Sequence, residues 1–267
     1  KEPVFTVETI SPQNLMCLIF FAWQAHPEYE LVLAANRDEF HARPTAPADF
    51  WEACPELLAG RDLEAGGTWM GVTRQGRFAA VTNYREHRRP VTAEKSRGAL
   101  VTEYLLGDDA ADAAAASLEG DSYSGFNLLM GAPGELAYVS NRGRGPETLK
   151  PGVYGLSNHL LNTGWPKVER GLERFTEAVS QSNPETELLF DIVTDRSRVG
   201  GTLPGGVPLK LAPEELMRHL FIQSPIYGTR SSTVLTISRQ GRVYFEERSF
   251  SPDAEETNRA IYEFEIG

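Results

Sequence analysis

Apolar residues in this chain fall in short runs separated by turn residues. Cys17 to Trp23 and Glu30 to Ala35 flank a His26-Pro27 turn, and Trp69 to Thr73 and Arg77 to Thr82 flank Gln75-Gly76. Phe126 to Met130 and Leu136 to Ser140 flank Pro133-Gly134, and Val234 to Ser238 and Val243 to Glu247 flank Gln240-Gly241. Runs of this length around such turns predict β-hairpins, hence largely antiparallel sheets. Helical periodicity lies between them, over Gly98 to Leu106, Asp109 to Leu118, Pro166 to Val179, Glu185 to Asp195 and Pro213 to Leu220. The third of these has proline near its start and apolar residues at Val168, Leu172, Phe175 and Val179, one face of a helix. The pattern predicts an α+β fold, two sheets with helices outside, and leaves strand order open.

Within this pattern one stretch is out of place. Asn36-Arg37-Asp38-Glu39 follows the apolar run Leu31 to Ala35 and puts an amide, a guanidinium and two carboxylates at a predicted strand end. Buried charge is costly unless paired, so such a cluster is an ion-paired knot or a site. The preceding run opens with Met16-Cys17, which brings a thiol to the neighbouring strand.

The 267 residues suffice for one large domain. A formal net charge of −11 argues against a nucleic-acid partner. No run approaches the roughly 18 continuous apolar residues of a membrane span. Two cysteines, Cys17 and Cys54, make no disulfide framework, and a reducing cytoplasm is the simplest location. Residues 1 to 16 resemble neither a signal nor a transit peptide and are expected to be an extension or propeptide before a single domain over 17 to 267.

Cys17 is the candidate nucleophile. Free cysteine is also among the most buried residue types, and a core role is the alternative. If the chain began at Met16, removal of that residue would free the α-amine of Cys17, a base with a pKa near 8. Asp38 could hold such an amine, and Arg37 could lower a thiol pKa or bind a carboxylate. Asn83 and Asn158 follow predicted strands and could donate to an oxyanion, or simply make Asx turns. Asn36, Glu39, Trp69 and Arg230 are candidates for substrate contact, Glu39 and Arg230 equally for ion pairing. Cys54 reads as structural, and Gly200 to Gly206 as a mobile loop near the site. No histidine pair has metal-site spacing, so no metal is expected.

The ordered set Met16-Cys17-Leu18, Asn36-Arg37-Asp38-Glu39, Gly66-Gly67-Thr68-Trp69, Thr82-Asn83-Tyr84-Arg85, Ser96-Arg97-Gly98, Tyr154 to Asn158, Trp165-Pro166-Lys167-Val168 and Tyr227 to Thr233 resembles the NRDE family. That family is named for its Asn-Arg-Asp-Glu motif and includes the transport and Golgi organization proteins. It resembles in turn the cysteine N-terminal nucleophile hydrolases, such as penicillin V acylases and bile salt hydrolases. The resemblance implies a four-layer αββα sandwich, Cys17 as nucleophile and base, Arg37 and Asp38 orienting it, and Asn83 and Asn158 at the oxyanion. The acylases separate their arginine and aspartate by two residues, whereas Arg37 and Asp38 are adjacent. Two functions follow. One is hydrolysis of an amide, ester or thioester in a small acyl substrate, with no cofactor. The other is non-catalytic carriage of haem or lipid in the same pocket. The sequence sets no oligomeric state.

Overall fold

A computed structural model describes residues 16–85, 95–197, 199 and 218–267. Two antiparallel sheets face one another. The six-stranded sheet runs in the order β10 (Gly152–Leu156), β1 (Cys17–Trp23), β2 (Tyr29–Phe40), β11 (Tyr227–Ser238), β12 (Arg242–Phe250), β13 (Glu256–Glu265). The seven-stranded sheet runs in chain order through β3 (Thr45–Trp51), β4 (Cys54–Asp62), β5 (Met70–Thr73), β6 (Phe78–Asn83), β7 (Phe126–Ala132), β8 (Glu135–Ser140) and β9 (Glu147–Thr148). Helices α1 (Arg97–Leu106) and α2 (Ala111–Ser117) cover the outside of the second sheet, while α3 (Pro166–Val179) and α4 (Thr186–Val193) cover the first. The expected αββα layering is present.

Three apolar layers account for it. Strand β1 is buried on both faces. Leu18, Phe20 and Ala22 pack under α3 with Val168 and Phe175, and Ile19, Phe21 and Trp23 pack between the sheets with Leu33, Met70 and Leu129. A run apolar on both sides is what a strand between two covered faces requires. The third layer sits between α1, α2 and the second sheet, around Leu100, Val101, Phe126 and Met130. Gly171 lets α3 close onto β1: a Cβ there would come within 2.9 Å of Leu220 and nearer still to the Phe20 ring.

Three differences from the sequence reading bear on function. Strand β2 does not end at Ala35 but continues through Asn36-Arg37-Asp38-Glu39 to Phe40, because β1 pairs with it as far as Arg37 and β11 as far as Phe40. The polar motif is therefore inside a strand. Cys54 opens β4 rather than lying in a loop, and β13 extends the first sheet beyond the last expected strand. The helix expected at Pro213 to Leu220 falls largely outside the described residues, as do Gly200 to Gly206 and the segment from Lys1 to Leu15.

Candidate functional site

Cys17 is the first residue of β1 and lies directly opposite Arg37 of β2. Side chains alternate along a strand, so adjacent residues of β2 face opposite sides. Arg37 and Glu39 turn toward the space between the sheets, and their guanidinium and carboxylate stand 3.7 Å apart. Asn36 and Asp38 turn toward the helices. A bulge in β11 at Arg230 keeps this alternation matched: Thr229 opposes Asp38, Ser231 opposes Arg37, and the extra residue lets them face opposite ways.

Between the sheets, Cys17 lies at the base of a cleft of about 460 Å³. Arg37, Glu39, Trp69, Asn83, Arg230 and Glu247 line it, together with the Gly67 turn and the start of α1. Gly67 and Gly98 touch backbone to backbone, since a Cβ at Gly67 would sit 2.8 Å from the Gly98 carbonyl group. Glycine at both positions thus joins the Gly66-Gly67-Thr68-Trp69 turn to the Ser96-Arg97-Gly98 motif.

The sequence candidates divide clearly. Cys17, Arg37, Glu39, Trp69, Asn83 and Arg230 border the cleft, and Asp38 touches it with its carboxylate turned to Thr229 on the helix side; Asn36 and Asn158 do not. Asn36 donates to the Val193 and Leu220 carbonyls at 2.7 and 2.9 Å and accepts from Ser232 at 2.6 Å, fixing α4 and the segment before β11 to the sheet. Asn158 donates to the Asn83 carbonyl at 3.0 Å and accepts from Ser157, whose hydroxyl also lies 2.8 Å from the Cys17 carbonyl. It holds Asn83 and Cys17 in register. Arg230 donates to the Phe40 and Arg43 carbonyls at 2.9 and 3.0 Å, and it meets the Thr45 hydroxyl at 3.2 Å. Those bonds make it a clasp on the β2–β3 turn. Glu39 accepts from the Phe40 amide at 2.8 Å and lies 3.9 Å from Arg43.

Sequence reasoning missed two charged groups. Glu247 of β12 lines the cleft and accepts from the Ala48 amide at 2.8 Å; burial raises its pKa, and that amide, then the Ser231 hydroxyl and Arg37, partly offset this. Lys167, in the first turn of α3, is fully buried, and its Nζ has no hydrogen-bond partner. It stands close enough to Asp38 and Cys17 for both to act on its charge.

Burial dominates the electrostatics. The Cys17 thiol is pushed up to about 12, by desolvation first and the Asp38 charge second, against the Asp38 amide and the Arg37 guanidinium. Asp38 is pushed up to about 7 by desolvation, with the Lys167 ammonium as the largest opposing influence and the Thr229 hydroxyl next. That hydroxyl donates to Oδ1 at 2.6 Å, whereas Oδ2 is buried without a partner. Lys167 is shifted down by desolvation, against the pull of Asp38 and Cys17. On the helix side the Met16 amide donates to the Tyr227 hydroxyl, and Met16 itself is buried. Among the described residues, no group of three acidic, histidine or cysteine side chains could hold a metal, and no helix is long and apolar enough to cross a membrane.

Fold and site together define an αββα protein with a cysteine at the base of an inter-sheet cleft. Residues 16–252 match the family model for Transport and Golgi organisation 2, and the chain belongs to that family. It is 39% identical to the cattle (Bos taurus) Transport and Golgi organization protein 2 homolog over 88% of this chain and 93% of that protein. The human counterpart is 38% identical over 94% and 99%. Among solved structures it is similar to the Caenorhabditis elegans ortholog of N-acylethanolamine-hydrolyzing acid amidase, with a TM-score of 0.46 and 9% identity over 82% of this chain and 92% of that one. It is also similar to a mutant conjugated bile acid hydrolase from Clostridium perfringens, with a TM-score of 0.36 and 10% identity over 94% and 84%.

Proposed function

We propose that the cleft is an acyl-hydrolysing site in which the Cys17 thiolate attacks the carbonyl carbon of an amide, ester or thioester. The observation that carries this reading is the placement of Cys17, the one cysteine among the cleft residues, beside Arg37 and Asn83. Attack forms a carbon–sulfur bond, the leaving group departs with a proton, and water then releases the acid. Asn83 is the candidate oxyanion donor, and Asn158 acts through it. A chain cleaved between Met16 and Cys17 would supply an α-amine as base, held by Asp38.

One observation favours the second function, carriage of a haem or lipid ligand. The thiol is held protonated by burial, and the Cys17 nitrogen is in peptide linkage to a buried Met16. A cleft of that kind can hold a ligand without turning it over.

The test incubates the protein with acyl p-nitrophenyl esters, acyl thioesters and acyl amides, then maps acyl adducts by peptide mass. The reading expects an adduct on Cys17 and product release, both lost in Cys17→Ala. Hydrolysis undiminished in Cys17→Ala would refute it. No adduct, with saturable haem or lipid binding that cleft substitutions weaken, would establish carriage instead.

A further inference from the structure

Strand β13 closes the six-stranded sheet, and among the described residues it pairs with β12 alone. Its outer edge, 10 residues long, leaves a row of backbone N–H and C=O groups without a strand partner. Proteins ordinarily blunt such an edge with a proline, a bulge or a lysine. The edge strand of the other sheet, β3, has Pro47 and an irregular register. From Asn258 to Glu265, β13 has neither proline nor lysine, and its register with β12 runs without a shift. Side chains alternate along it: Ala260, Tyr262 and Phe264 pack between the sheets, whereas Arg259, Ile261, Glu263 and Glu265 are exposed. Ile261 is 50% exposed, with an arginine two residues before it and a glutamate two residues after. The Glu256 carboxylate holds the Arg259 guanidinium at 2.9 and 3.2 Å, which orders the cation within its own strand.

We propose that the β13 edge pairs antiparallel with the β13 edge of a second copy of this chain, about a two-fold axis at Ile261. Residues directly opposite in an antiparallel pair share a face, so the axis must place one residue opposite itself. Centred on Ala260, the pairing sets Arg259 against Ile261; centred on Tyr262, it sets Glu263 against Ile261. Centred on Arg259 or Glu263, it brings like charges face to face. Centred on Ile261, it sets isoleucine against isoleucine and Arg259 against Glu263 on both sides of the axis. Between the sheets the same register puts small Ala260 opposite large Tyr262. The charge pattern thus complements a copy of itself and selects one register. Thr257 and Asn258 line the cleft, so the second copy lies along its outer end, with Phe264 of that copy opposite Asn258.

The experiment measures the mass of the full chain by analytical ultracentrifugation at rising concentration, and maps the contact with introduced cysteines under mild oxidation. Directly opposed residues stand about 4.5–5.5 Å apart between Cα atoms, a span that a disulfide can bridge. Wild type is expected to pass reversibly from monomer to dimer. Ile261→Cys is expected to crosslink to its own copy in a band that reductant removes. Thr257→Cys, about 27 Å from its own copy in this register, is not. Glu263→Arg places an arginine opposite Arg259 on both sides of the axis and is expected to weaken the dimer about tenfold or more. Overall charge predicts the reverse, because this substitution lowers the net charge of −11 and hence the repulsion between copies. All three positions are exposed, and circular dichroism checks that the variants fold. The proposal is overturned if wild type stays monomeric at every concentration, if Thr257→Cys crosslinks as readily as Ile261→Cys, or if Glu263→Arg dimerises as tightly as wild type. A monomer whose edge takes up an added extended peptide instead would overturn it too.

Discussion

The buried Asp38–Lys167 pair should make stability depend on pH in an unusual direction. Asp38 has an ordinary carboxylate pKa of 3.8 when unfolded and about 7 when folded. The folded chain therefore holds the proton more tightly. Its contribution is fully present below about pH 4 and is lost as the pH rises through 7. Roughly 3 units at 1.36 kcal/mol each amount to about 4 kcal/mol between these limits. Glu247 is raised by burial as well and acts in the same direction. The perturbation is the double variant Asp38→Asn/Lys167→Met, which removes both charges and leaves neither unpaired. Replacing a buried pair by neutral groups of similar size is often neutral or stabilising by about 1–4 kcal/mol. Urea denaturation from pH 4.5 to pH 8 is the assay. The double variant should lose about 3 kcal/mol less than wild type across that span, which begins above the unfolded pKa, and be at least as stable at pH 8. Parallel curves for the two proteins would show that Asp38 titrates normally and that the buried-pair account is wrong.

Other substitutions probe separate parts of the structure. Asn36→Ala should cost about 3 kcal/mol in urea unfolding, since it leaves two buried carbonyls unpaired; a loss below about 1 kcal/mol would show that water replaces the amide. Gly171→Ala should lower stability by about 1–3 kcal/mol through overpacking against Phe20 and Leu220, and an unchanged melting temperature would contradict the close approach of α3 to β1. Asn83→Ala should slow acyl hydrolysis by roughly 10²–10³ with little change in stability; an unchanged rate would leave Asn83 as a strand-end residue only.

Much of the layering was legible because hairpins announce themselves by turn residues between apolar runs. Gly76, Gly134 and Gly241 all adopt positive φ at these turns. The strands that went unread are the polar ones. Thr45–Trp51 contains Pro47 and no regular alternation, and Glu256–Glu265 presents Arg259, Ile261 and Glu263 outward while Tyr262 and Phe264 pack inward. Cys17 and Arg37 to Glu39 were legible because polar groups interrupted or opened a run that should be apolar. Lys167 was not, since a lysine beside an amphipathic stripe looks solvent-facing until the tertiary packing is known. Glu247 did leave a signal: Glu246-Glu247-Arg248 places three charges inside a strand, and all three are buried. Arg37 and Asp38 were both expected to orient Cys17, whereas the two-residue repeat of the continuing strand turns them to opposite faces.

The bulge at Arg230 bears on how this stretch of chain can evolve. Before it, Tyr227 and Thr229 face the helices; beyond it, Ser232 and Val234 do. Losing that one residue would not shorten a loop. It would reverse the parity of everything on one side, sending Thr229 away from Asp38 or Ser232 away from Asn36. Lineages can therefore exchange side chains along this strand one at a time, but a single-codon deletion here demands a compensating insertion nearby. Alignments of descendants should run without gaps from Tyr227 to Val234, even where the residues themselves have drifted.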